Sequence, residues 1–159
     1  MNAKDVIRNN LGLSDFVLQG LLADLSDEDL LVRPVASANH IAWQLGHLIV
    51  SENNLINAVC PGSMPELPQG FSESHASGDS DEGYLAKQEY LDLFSGQRRA
   101  TIQALESVDE SDLDRESPEN LREKFPTVGS VFALQASHVL MHSGQWSVVR
   151  RKLEKPVLF

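Results

Sequence analysis

Apolar residues recur at helical spacing along four stretches of the chain, and no run alternates with the period of two for long enough to make a strand. The first stretch runs from Lys4 to Leu25, where Val6, Leu13, Phe16, Val17, Leu21 and Leu25 repeat at spacings of three, four and seven. Gly12 and Gly20 weaken it, each costing about 1 kcal/mol relative to alanine. Ser26 with Asp29 three residues later opens a short further turn, and Arg33-Pro34 closes regular structure. The second helix starts near Asn39 as N-cap and carries Ile41, Leu45, Leu48, Ile49, Leu55 and Ile56 to Val59, where Pro61 and Gly62 stop it. The third spans Glu82 to Val108 on Tyr84, Leu91, Phe94, Ile102 and Leu105, with Gly96 as a weak point. The fourth follows the N-cap residue Thr127 and holds Val131, Leu134, Leu140, Met141, Val148 and Val149 to Leu153.

Between the second and third helices, Cys60 to Gly83 holds three prolines and three glycines before Gly83 among Ser, Asp and Glu, too punctuated for regular structure. A loop of that length in a small domain is either mobile or functional. Asp109 to Pro126 is a second polar connection. Four amphipathic helices without strands predict an all-α four-helix bundle, and the long connections leave a crossover topology open. The length of 159 residues fits one domain, 1–159, with a real core.

Charge narrows the partners. Lys+Arg 13 against Asp+Glu 23 give a formal charge of -10, so a nucleic-acid backbone meets net repulsion, and Arg98-Arg99 and Arg150-Arg151-Lys152 are too short to reverse it. No apolar run approaches the roughly 20 residues needed to span a bilayer, and Met1 to Leu11 has no signal-peptide pattern. The lone Cys60 forms no internal disulfide or cysteine-based zinc site. The expectation is a soluble cytoplasmic protein that binds neither nucleic acid nor membrane.

The chemistry concentrates in the fourth helix, where Gln135, His138, His142 and Gln145 share one face. Leu134, Met141, Val148 and other apolar residues flank this stripe, and the segment has no charge before Arg150, so the helix reads as largely buried. Buried histidines need partners. Four residues apart, both imidazoles reach one metal ion, whereas the bland alternative is two core histidines hydrogen-bonded to protein. Val139 after His138 excludes the His-Glu-x-x-His zinc-protease motif. The second helix offers a third ligand in His47, which follows Gly46, whose missing side chain permits close approach. His40 is the rival, but its place beside the N-cap favours exposure; His75, in the punctuated loop, reads as solvated.

These residues resemble the DinB/YfiT-like superfamily of four-helix-bundle metalloproteins: His47 in a Trp-x-x-x-His-Leu setting, a Pro-rich loop, and the late His138-x-x-x-His142-Ser-Gly-Gln145. The resemblance covers nearly the whole chain. It implies a divalent metal, nickel or zinc, on His47, His138 and His142, a small-molecule substrate and a homodimer. Among its characterised members are S-transferases that use a low-molecular-weight thiol. The alternatives are a non-catalytic metal-binding or stress-associated bundle and a metal-dependent hydrolase. No residue is identified as catalytic. Glu52, five residues after His47, is turned about 140° away from it and reads as a surface or hydrogen-bonding group. Gln44 and Gln145 are candidates for supporting contacts, or ordinary bundle polarity. Trp43 and Trp146 read as core with an option on lining a pocket, and Cys60, with no basic neighbour in sequence, reads as inert.

Overall fold

The computed structural model describes residues 1–78 and 82–159. Its helices are α1 (Ala3–Leu22), α2 (Ile41–Val59), α3 (Phe71–Ser74), α4 (Lys87–Ser107), α5 (Glu119–Arg122) and α6 (Val128–Lys152), with 3-10 turns at Asp29–Leu31 and Glu110–Asp114. The only β pairing among the described residues is one isolated bridge between Glu116 and Thr127. Four long helices are present as expected, but α4 starts at Lys87 rather than Glu82, leaving Tyr84 ahead of it, and α1 ends at Leu22 rather than Leu25. The punctuated stretch before α4 contains the short α3, and three of its residues, 79–81, lie outside the described part.

Local chemistry sets the helix ends. Asn2 and Thr127 cap α1 and α6 through reciprocal side-chain and backbone bonds. Ser26 and Asp29 exchange the same kind of pair, Ser26 N donating to Asp29 Oδ2 at 3.0 Å and Asp29 N to Ser26 Oγ at 3.2 Å. The N-cap of α2 is His40, one residue later than expected, and its Nδ1 accepts from Trp43 N at 3.1 Å. Lysines satisfy two C-termini: Lys4 Nζ donates to the carbonyls of Glu106 and Val108 at the end of α4, and Lys87 Nζ to those of Leu22, Ala23 and Leu25 after α1.

The core is two apolar clusters stacked along the bundle. One holds Leu18, Leu22, Ile41, Leu45, Ile49, Phe94, Val139 and Trp146; the other holds Ile7, Leu11, Ile56, Ala104, Leu105, Val131 and Phe132. The order in which each helix meets the two clusters gives its direction. Helices α1 and α6 run one way and α2 and α4 the other, so α2 and α4 are parallel neighbours. The long connection is therefore a crossover: it must return the chain along α2, about 28 Å at 1.5 Å per residue, before α4 begins.

A polar layer separates the clusters. Arg98, 2% exposed, lies between Glu52, also 2% exposed, and Asp15. Arg98 Nε stands 3.1 Å from Asp15 Oδ1 and Nη2 3.4 Å from Glu52 Oε2, with the guanidinium 5.0 Å over the Phe94 ring. Glu52 also accepts from Thr101 Oγ1 at 2.6 Å, and beside it Asn53 Nδ2 donates to Gln97 Oε1 at 3.0 Å and Pro65 O at 2.7 Å. Glu52 is thus a buried hydrogen-bonding group, not a surface one. Burial pushes both carboxyls up, against the pull of Arg98.

Three other expectations are corrected. On α1 the buried stripe is Ile7, Leu11, Ser14, Leu18, Leu21 and Leu22, while Val6, Leu13 and Phe16 are exposed. On α6, Leu140, Met141 and Val148 are exposed, so the helix is not buried around most of its circumference. His75 is buried, not solvated. Its Nδ1 donates to Phe71 O at 2.8 Å and its Nε2 accepts from Tyr90 OH at 2.7 Å, because a carbonyl only accepts. This fastens the crossover to α4. The space His75 occupies is the one Gly46 leaves: a Cβ at position 46 would sit 1.9 Å from its Cδ2.

Two consequences are testable. Gly46→Ala is expected to displace His75 and cost about 1–3 kcal/mol, as overpacking does, in urea unfolding; a loss below about 0.5 kcal/mol, the usual range for surface substitutions, would show that the ring has room to move. Arg98→Met strips the cation from the buried Glu52 and the partly buried Asp15 and is expected to cost about 3–5 kcal/mol near neutral pH. Without the cation their folded-state pKa values rise further, so the variant gains protons, and stability relative to wild type, as pH falls. The deficit is therefore largest at neutral pH and shrinks toward pH 5; one that does not change with pH would contradict the ion-pair account.

Candidate metal centre

Helices α2 and α6 are antiparallel neighbours, and the side chains flagged in each meet across their seam. The ligand-capable nitrogens of His47, His138 and His142 all lie within 4.8 Å of one another, and each residue is half-buried. Ring centroids are 5.1 Å apart for His47 and His138, 5.5 Å for His47 and His142, and 5.0 Å for His138 and His142. His142 Nε2 and His138 Nε2 are 3.3 Å apart. Two nitrogens bound tetrahedrally at 2.0–2.1 Å to one zinc-sized ion would be separated by about 3.3 Å, so this pair already matches the edge of such a site. Four-residue spacing on α6 produces the pair, and the antiparallel crossing brings His47 to it.

The rings are held neutral. Burial pushes His138 down to about 4, with the nearby His47 adding to it. Burial does the same to His142, also down to about 4, with His138 and His47 contributing. Burial lowers His47 as well. Neutral imidazole is the form that ligates a metal, so an environment hostile to imidazolium favours the ligand state.

The neighbours orient these rings. Trp43 stacks on His47 with centroids 5.0 Å apart and planes 7° from parallel. Gln44 Oε1 accepts from His142 Nδ1 at 2.8 Å and from Trp146 Nε1 at 2.8 Å, while Gln44 Nε2 donates to Asn39 O at 2.7 Å and to Gln145 Oε1 at 3.1 Å. Both glutamines flagged in the sequence thus belong to the site's support, and buried Trp146 is part of the same network rather than a pocket wall.

The structure separates the remaining candidates from this cluster. His40 is buried as the cap of α2, not exposed, with its ring edge-on to Tyr84 at 4.4 Å. His75 lies behind Gly46 in the pin to Tyr90. Glu52 belongs to the polar layer. Burial pushes the Cys60 thiol up, outweighing the opposing charge of Arg115, a neighbour that sequence distance concealed. The roles of Asn39 O and of the His75–Tyr90 pin were also missed. They depend on a backbone carbonyl and on a long-range contact, neither of which leaves a motif.

The donor set fits a divalent ion: three neutral imidazoles in reach of one point, two of them at a ligand–ligand spacing, and one with its far nitrogen engaged by an amide oxygen. No curated protein matches the chain. The crystal structure of a conserved protein from Enterococcus faecalis is similar in fold, with a TM-score of 0.73 and 16% identity over 98% of this chain and 99% of that one. The sequence model of the DinB superfamily matches residues 17–146, which include all three histidines, the whole of α2 and α6 as far as Trp146. The chain therefore belongs to the DinB superfamily.

Proposed function

We propose that the protein is a metal-dependent enzyme in which His47, His138 and His142 hold one nickel or zinc ion, and that it transfers a low-molecular-weight thiol to a small-molecule electrophile. The observation that carries the metal is the convergence of the three neutral imidazoles from α2 and α6. The donor set carries the choice of an enzyme over a structural site. Among the described residues the cluster contains three side chains of metal-ligating type, whereas closed structural zinc sites use four.

When bound, the ion would supply a positive centre that favours the thiolate form of a cofactor thiol, sulfur being a soft ligand that suits either metal. The chain's own residues would do the rest. His47, His138 and His142 present lone pairs to one point because burial keeps them neutral. Trp43 holds the plane of His47 and Gln44 that of His142. Cys60 takes no part as nucleophile, since its environment favours the thiol over the reactive thiolate.

Protein purified without an affinity tag is expected to carry close to one divalent ion per chain by elemental analysis. His47→Ala, His138→Ala and His142→Ala should each deplete it, and His75→Ala should not, even where it lowers the melting temperature. Stoichiometric metal on His142→Ala would sink the ligand assignment. The thiol reading has its own test. With cobalt in place of the native ion, addition of a low-molecular-weight thiol is expected to produce sulfur-to-metal charge-transfer bands, in Cys60→Ser as in wild type. If a series of thiols leaves the spectrum unchanged while cobalt stays bound, thiolate activation is wrong and a hydrolytic or non-catalytic metal role takes its place.

A further inference from the structure

The hydrogen bonds around Gln44 fix more than a position; they fix where the protons are. Trp146 Nε1–H can only donate, so the Gln44 atom 2.8 Å from it must be the amide oxygen. Asn39 O can only accept, so the Gln44 atom 2.7 Å from it must be the amide nitrogen. Each contact alone excludes the flipped amide, and the two agree. The oxygen so assigned is 2.8 Å from His142 Nδ1 and has no proton to give. The proton between them therefore belongs to His142. A neutral imidazole protonated at Nδ1 carries its lone pair at Nε2, and His142 Nε2 is the atom that faces His138 Nε2.

We propose that Gln44 is a positioning residue that presets His142 as an Nε2 ligand, with Trp146 and the Asn39 carbonyl holding the Gln44 amide in the one orientation that does so. This rests on the reading of the three histidines as a metal site, and it adds a specific function for residues that touch no metal. Imidazole in water favours the opposite tautomer, with the proton on Nε2, which would cover the nitrogen needed for coordination. Gln44 reverses that preference before any ion arrives. The same amide bridges Trp146, a fully buried side chain on α6, to the backbone just before α2, so the setting of the ligand depends on the α2–α6 seam being closed.

The test separates this role from the metal reading. In chelator-treated protein with ¹⁵N-labelled histidine near pH 7.5, long-range ¹H–¹⁵N correlations are expected to show His142 protonated at Nδ1 in wild type and shifted toward the Nε2–H form in Gln44→Leu. Zinc affinity, from competition with a chromophoric chelator, is expected to fall about 10–100-fold in Gln44→Leu, the range seen when a ligand's hydrogen-bond partner is removed. Gln44→Glu keeps an acceptor oxygen against His142 but gives up the donor to Asn39 O and Gln145 Oε1, so in folded protein it should retain the tautomer and bind zinc more tightly than Gln44→Leu. Circular dichroism checks that the variants are folded; if Gln44→Leu is not, the tautomer in wild type decides the matter. His142 protonated at Nε2 in metal-free wild type, or unchanged zinc affinity in folded Gln44→Leu, would overturn the proposal. A wild type with the expected tautomer that binds no zinc would overturn the metal reading instead, and with it the use to which the tautomer is put.

Discussion

Gln44 occupies the seam between α2 and α6 and uses both ends of its amide there, the oxygen toward His142 and Trp146, the nitrogen toward Asn39 and Gln145. A buried amide with unmet hydrogen bonds costs several kcal/mol by transfer to an apolar medium, so this arrangement is stable only when the two helices sit in one register. That register places His47 of α2 against His138 and His142 of α6. A sliding of α2 by one turn would break the network and separate the three histidines together. Packing of Trp146 in the apolar cluster that also holds Leu18, Leu45 and Val139 and the orientation of His142 are in this sense one constraint, because a single oxygen serves both.

The topology sets which elements support the histidine cluster. Helices α2 and α4 run parallel, which forces the chain to cross the length of the bundle between them. The crossover is fastened on the neighbouring face of α2, about 100° round the helix: His75 fills the gap left by Gly46 and bonds Tyr90 on α4. One residue further along α2, His47 faces α6. The polar layer of Asp15, Glu52 and Arg98 lies farther along, where it divides the core and joins α1, α2 and α4. Its two carboxyls share the one guanidinium of Arg98, and the histidines are held neutral by desolvation first and by one another second.

The sequence showed the helices and the three histidines more clearly than it showed burial. Thr127 was legible as a cap because capping depends on residues three apart in the chain, and the end of α2 because Pro61 and Gly62 stop a helix in almost any context. The stripe on α1 was misread for a different reason. Val6, Leu13 and Phe16 form an apolar row of their own beside the row of Ile7, Leu11 and Leu18, and periodicity alone does not say which of two adjacent rows faces inward. His40 and His75 look like exposed histidines because their partners are distant or are backbone groups: Tyr84 and Tyr90 lie on the far side of the crossover, and the amide of Trp43 has no sequence label. Gly46 did announce a close approach, but what approaches it, an imidazole from the loop, became visible only in three dimensions.

The claim at the centre is that three imidazoles hold an ion that still has room for an exogenous ligand. X-ray absorption at the metal edge tests it most directly, on protein loaded with one equivalent of nickel or zinc and free of added thiol. The account predicts outer-shell scattering from three imidazoles, remaining positions filled by light solvent donors, and a sulfur shell at bonding distance only after a low-molecular-weight thiol is added. A fourth protein ligand, protein sulfur bound without added thiol, or fewer than three imidazoles in wild type would contradict it.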